Sequence, residues 1–170
     1  MDTPRSGPYN PPPMEGARRI LVIRLGAVGD VVRTMTALGP LRRRFPQARI
    51  SWIAEEGPAT LLRGHPCLDE TIVLPRRHLG ELFSSPSTFI PGLARLGAIA
   101  RDLRSRRYDL VLDFHGTLKS GLVSFATGAL VRWGYAPPGS KEMNRLFNTH
   151  HVHLPSHPLH RIERNLALVR

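Results

Sequence analysis

The chain has 170 residues, 41% of them hydrophobic, and a formal net charge of +11. That length builds one domain with a sound core and is short for two, and the composition excludes disordered and membrane-spanning classes. Of the 24 basic residues only Lys119 and Lys141 are lysines, so an arginine-rich surface faces polyanions, unless it reflects only an arginine-biased genome.

Residues 1–17 carry Pro11-Pro12-Pro13 and no apolar central run, so they read as a disordered extension and not as a signal peptide. Met14 is a second candidate start. The folded domain is expected over 18–170. No apolar run approaches the ~18–20 residues needed to span a bilayer, and the expected compartment is cytoplasmic. Cys67 is the one cysteine, which excludes an intrachain disulfide and a cysteine zinc cage.

Ile20–Ile23 is a first strand, apolar throughout as for a strand covered on both faces. It feeds the turn Gly26-Ala27-Val28-Gly29. A helix is expected from Asp30 to about Phe45, kinked or split by Pro40. Ile50–Ala54 is a second strand, followed by Glu55-Glu56-Gly57-Pro58 and a short helix to Arg63. Thr71–Leu74 is a third strand. A long connection from Pro75 to Ser87 carries Arg76, Arg77 and His78. Leu93, Leu96, Ala100 and Leu103 then recur at helical spacing.

Leu110–Leu112 is a fourth strand, ending in Asp113-Phe114-His115-Gly116. A helix over Leu118–Ala126, a strand around Val131–Trp133, a polar loop with one helical turn, a strand at His151–Leu154 and a helix over Leu159–Val169 complete the order. Strands alternating with helices predict an α/β fold: a Rossmann-like parallel sheet with helices on both faces. The chain ends inside an apparently helical segment and reads as cut off.

Two strand-to-helix junctions carry candidate chemistry. Asp30 follows G-x-x-G, not the G-x-G-x-x-G of a dinucleotide fold, and its carboxylate would repel a pyrophosphate on the same helix end. A helix cap accounts for Asp30 on local grounds, and an ionised general base accounts for it as well. At the second junction Lys119, one turn into its helix, can reach an anionic ligand; alternatively Asp113 is a buried strand-end acid and Lys119 is solvated. Arg76 and Arg77 suit phosphate or carboxylate groups, or are simply a solvated loop. Glu55 and Glu56 are either a carboxylate pair or acids opening the short helix. His150, His151, His153, His157 and His160 do not match a metal-binding helix, so no metal is expected and surface positions suit them better.

Together, RILVIRLGAVGDVVRTMTALGPLRRRFP, ISWIAEEG, YDLVLDFHGTLKSG and NRLFNTHHVHLPSHPLHRIERNLALV resemble the amino-terminal half of the family 9 glycosyltransferases, the lipopolysaccharide heptosyltransferases, and the heptosyltransferase I type most of all. The resemblance runs from about Arg18 to the end. It implies a two-domain GT-B architecture of which this is the acceptor-binding half, truncated before the donor-binding domain. It implies inverting transfer of heptose from ADP-heptose to a Kdo-lipid A type acceptor, without cofactor or metal. It places Asp30 as catalytic base and Gly29, Arg76, Arg77, His115, Gly116, Lys119 and Ser120 as substrate-binding, with Lys141 near an arginine position of some relatives. The implied partners are the nucleotide-sugar donor, an anionic glycolipid acceptor and the cytoplasmic face of the inner membrane, with no nucleic acid. These 170 residues alone are expected to be inactive. The competing reading is a non-catalytic basic domain on an anionic membrane or nucleic acid; an aromatic content of 6% offers few stacking platforms for the latter.

Overall fold

A computed structural model of the chain describes residues 16–75, 97–141, 143–155 and 159–169. Six strands form one sheet: β1 (Arg19–Ile23), β2 (Arg49–Glu55), β3 (Glu70–Leu74), β4 (Leu110–Asp113), β5 (Val131–Tyr135) and β6 (His150–Val152). Every neighbouring pair is parallel and the order is β3-β2-β1-β4-β5-β6. Chain connection therefore reverses direction between β1 and β4, the point at which doubly wound sheets open a ligand crevice beyond their strand ends.

The helices are α1 (Val28–Met35), α2 (Leu38–Arg44), α3 (Glu56–Ala59), α4 over 97–105, α5 (Leu118–Ala126) and α6 (Arg161–Ala167). The side-chain alternation of β1 divides the core between the two faces of the sheet. Ile20 and Val22 join Leu38, Leu41, Trp52, Leu112 and Leu168 on the α1–α2–α6 side. Leu21 and Ile23 join Leu103, Val111 and Val123 on the α4–α5 side. Each fully buried aliphatic side chain here contributes ~1.5–3 kcal/mol relative to exposure.

One expected helix start needs correction, and the split expected from Pro40 is present. The first helix starts at Val28, with Ala27 at the N-cap position and no side-chain cap, so Asp30 sits inside the first turn and caps nothing. The split ascribed to Pro40 falls at Thr36–Ala37, and Pro40 itself lies in the first turn of α2. The reason is steric: a proline ring clashes with the carbonyl four residues earlier, which is that of Thr36, while a first-turn position needs no N–H. Strand β6 also begins and ends earlier than read, at His150 and Val152. Arg76, Arg77, His78, most of the long connection and His157 lie outside the described residues.

Candidate functional site

Adjacent register of Ile23 and Asp113 brings the ends of β1 and β4 together. Beyond them opens a cavity of about 500 Å³ whose walls include Arg24, Asp30, His115, Gly116, Arg161 and Arg164. Arg33 and Lys141 also line it, so five cationic side chains face one carboxylate. An open cavity with that balance attracts an anion.

Asp30 is the acid at its centre. Arg24 pairs with its Oδ2, while Arg161 at 2.8 Å and Arg33 at 3.1 Å share Oδ1. Burial alone would raise this carboxyl, but the charge of Arg24 and the hydrogen bond and charge of Arg161 outweigh it and hold the group below the ordinary carboxylate value. Asp30 is therefore ionised at any physiological pH. A depressed folded value also sets the sign of its stability contribution, which is complete above the unfolded value near 4 and lost as pH falls through the folded one. In urea titrations, the stability difference between the wild type and Asp30→Asn should be constant above pH ~5 and shrink below pH ~4.

Arg24 directly follows β1 and is largely buried. Its Nη1 donates to the Phe114 carbonyl at 2.6 Å, so one guanidinium ties the β4 end to the base. Arg161 and Arg164 arrive from α6, which is moored by Asn165: its amide donates to Thr34 Oγ1 at 3.2 Å, and its Oδ1 accepts from Tyr135 at 3.3 Å. Thr34 in turn donates to the Asp30 carbonyl at 2.8 Å. Arg164 bonds the Gly139 carbonyl and lies 4.3 Å from the centre of the Tyr135 ring. His160 and Glu163 cap the start of α6 reciprocally.

The second junction is shaped by Asp113, which is fully buried. Its Oδ1 accepts from the backbone N–H groups of His115 at 2.9 Å and Gly116 at 3.2 Å; its Oδ2 accepts from Ser120 at 2.9 Å and Asn144 at 2.7 Å. These bonds present His115 and Gly116 to the cavity. Burial, with Arg24 nearby, pushes the His115 imidazole below its ordinary value, and its Nδ1 is buried without a hydrogen-bond partner. Gly116 has φ +73°, and a Cβ there would stand 3.2 Å from the Gly139 carbonyl oxygen. Gly116→Ala should therefore cost roughly 1–3 kcal/mol, read as a lowered midpoint in thermal melts.

The remaining expected contacts are dispersed. Ser120 is fully buried, accepting from the Thr117 N–H at 3.1 Å and donating to Asp113, so it shapes the junction from behind the cavity wall. Lys119 is not a solvated cation: its Nζ meets Glu55 Oε1 at 2.6 Å, which also gives Glu55 a role at the end of β2. Gly29 is exposed on the first turn of α1, where a Cβ would meet the Arg33 guanidinium at 3.6 Å. Among the histidines, His160 caps α6 and His150 stacks on Trp133 at 5.0 Å. Among the described residues no three His, Cys, Asp or Glu side chains are grouped to hold a metal. Reading the sequence missed Arg24, Arg161 and Arg164; the signals open to it were an arginine immediately after β1 and an i, i+3 arginine pair opening the last helix.

Comparison with known proteins supplies a family for this geometry. Residues 96–170 match the model of glycosyltransferase family 9 (heptosyltransferase). Lipopolysaccharide heptosyltransferase 1 of Escherichia coli O18:K1:H7 is 28% identical over 147 residues, covering 84% of this chain and 44% of that protein. The solved E. coli heptosyltransferase WaaC with ADP-2-deoxy-2-fluoro heptose superposes with a TM-score of 0.75 at 28% identity, over 89% of this chain and 47% of that one. The E. coli ADP-heptose lps heptosyltransferase II, at 23% identity and a TM-score of 0.65 over 89% of this chain and 40% of that one, shares the fold. The chain thus spans less than half the length of the curated relative it matches.

Proposed function

This chain belongs to glycosyltransferase family 9 (heptosyltransferase), and from that membership we propose that its cavity receives an anionic sugar acceptor whose hydroxyl is deprotonated by Asp30. The observation that carries the reading is one ionised carboxylate at the sheet's switch point, paired with three arginines in a cavity lined by five cationic side chains. In the proposed step the acceptor hydroxyl oxygen attacks the anomeric carbon of an ADP-heptose. The new C–O bond forms as the bond to the diphosphate breaks, the configuration inverts, the hydroxyl proton passes to Asp30, and ADP leaves with the electron pair. The acceptor class is a Kdo-lipid A type glycolipid, whose carboxylates and phosphates match the arginines, and the product belongs to the lipopolysaccharide inner core.

A carboxylate held below its ordinary value is a weak base in isolation. Arg33 and the exposed Arg161 provide the remedy, because an arriving acceptor anion competes for both guanidiniums. As they turn toward the substrate, Asp30 loses cationic partners and its proton affinity rises as the hydroxyl arrives. Arg24, held on the Phe114 carbonyl, keeps the carboxylate aimed.

The donor-binding half is proposed to lie outside these 170 residues, and with it the groups that stabilise departing ADP. The 170 residues by themselves should fold without transferring heptose, since half a cleft cannot hold both reactants in register. The test is to incubate the full-length protein with ADP-heptose and a Kdo-lipid A acceptor and weigh the product. A mass gain of one heptose supports the reading. A product formed only from another nucleotide sugar would overturn the donor, and nucleic-acid binding without any transfer would favour the basic binding module.

A further inference from the structure

Three arginines pair with Asp30, and they are held in different ways. Arg24 is fixed on the Phe114 carbonyl at the strand ends, and Arg33 stands three residues along the acid's own helix. Arg161 comes from α6, and its side chain is 68% exposed. A long exposed side chain pays rotamer entropy to hold one geometry and has little packing to help it. Its reach to Asp30 therefore depends on where the α6 backbone lies. Arg164, Lys141 and His115 complete the titratable lining of the cavity.

Asn165 sits one turn after Arg161 on the same helix and is buried. Its partners leave its amide a single orientation. Thr34 Oγ1 donates its proton to the Asp30 carbonyl at 2.8 Å, so toward Asn165 it can only accept, and the Asn165 amide nitrogen faces it at 3.2 Å. The Asn165 oxygen then faces Tyr135, whose hydroxyl shares its proton between Asn165 Oδ1 and the Arg164 carbonyl, each at 3.3 Å. Burial pushes the Tyr135 phenol up, so it is a donor at every physiological pH. The bonds run in one direction from β5 through α6 to α1 and end on the backbone of the acid itself.

Removing the Asn165 amide strands neither hydroxyl, because Thr34 keeps the Asp30 carbonyl and Tyr135 keeps that of Arg164. What is lost is a tie between the helix that carries Asp30 and the helix that carries Arg161. We infer that Asn165 is a positioning residue, whose bond to Thr34 fixes α6 against α1 so that Arg161 rests on Asp30. That this serves the base of a transferase depends on the function proposed above; that it places Arg161 does not. With Arg161 displaced, Arg24 and Arg33 remain, and the Asp30 carboxyl moves up toward the ordinary carboxylate range.

The experiment follows the Asp30 carboxyl of the full-length protein through pH by carbon NMR with carboxyl-labelled aspartate, its signal identified by its loss in Asp30→Asn. Arg161→Gln and Asn165→Ala are each expected to raise the midpoint by ~0.3–0.8 pH unit. Thr34→Val removes the acceptor while keeping the shape and should do the same, so it carries the test should Asn165→Ala fold poorly. Arg161→Gln combined with Asn165→Ala should move the midpoint no further than Arg161→Gln alone, because the amide acts through that guanidinium. In transfer assays the acidic limb of the kcat/KM profile, which reports the free enzyme, should move with it. A merely structural role would lower the melting temperature and leave the midpoint where it is. That result overturns the proposal, as do shifts that add in the double variant. A wild type that transfers no heptose while its variants show these shifts supports the proposal and overturns only the transferase reading.

Discussion

Asp30→Asn in the full-length protein is expected to lower kcat by ~10²–10⁴-fold while leaving acceptor KM within a few-fold of wild type. Asparagine keeps the size and shape of the side chain and can still accept hydrogen bonds from Arg24 and Arg161, so the cavity wall stays in place. What it cannot do is take a proton. The change also removes the cavity's one negative charge among its lining residues, so an anionic acceptor should bind at least as tightly as before. A purely structural role would give a different pattern, with kcat falling only in proportion to the folded fraction and acceptor KM rising as the cavity wall is lost. Steady-state kinetics beside a thermal melt separate the two.

Asp113→Ala carries the largest expected effect on stability. The carboxylate is fully buried and accepts four hydrogen bonds, from the His115 and Gly116 N–H groups, the Ser120 hydroxyl and the Asn144 amide. Alanine leaves all four donors without this acceptor in a place water does not reach. An unpaired buried donor costs ~1–3 kcal/mol, and partial relaxation brings the total to roughly 3–5 kcal/mol. Urea unfolding should show a lower midpoint with an unchanged slope. Turnover should fall as well, because the turn that presents His115 and Gly116 depends on those bonds. Asp113→Asn, which retains two acceptor lone pairs, should lose less on both counts.

Much of this fold was legible because its signals are local. The apolar runs Ile20–Ile23 and Leu110–Leu112 mark strands buried on both faces, and the turns after them mark where helices begin. All six strands and the parallel arrangement follow from that alternation. The helix start at Val28 was missed because Asp30 is a good capping residue by type, whereas the chain here enters the helix through Ala27 without a side-chain cap. The site was half legible for a different reason. Asp30 and the Asp113–Ser120 junction lie in compact motifs, but the cations that govern Asp30 come from elsewhere. Arg161 reaches it across 131 positions of sequence, by way of a helix moored through Asn165 and Thr34. Nothing local in HRIERN says which carboxylate it will meet. Lys119 shows the same limit, since its ion-pair partner Glu55 stands 64 positions away in the sequence.

Electrostatics and chemistry meet at Asp30: its charge is fixed by arginines, and its proposed chemistry is proton removal. Chemical rescue tests that proposal most directly. Asp30→Ala opens space in a water-accessible cavity whose guanidiniums remain in place to bind a small carboxylate. Transfer by the full-length Asp30→Ala protein is to be measured against rising formate, with chloride as the anion control and acceptor binding followed in parallel. The expected result is a saturable, formate-dependent recovery of heptosyl transfer that chloride does not reproduce. A variant that binds acceptor normally and stays inactive at every formate concentration, or one that transfers at the wild-type rate without any, would contradict the assignment of Asp30 as the base.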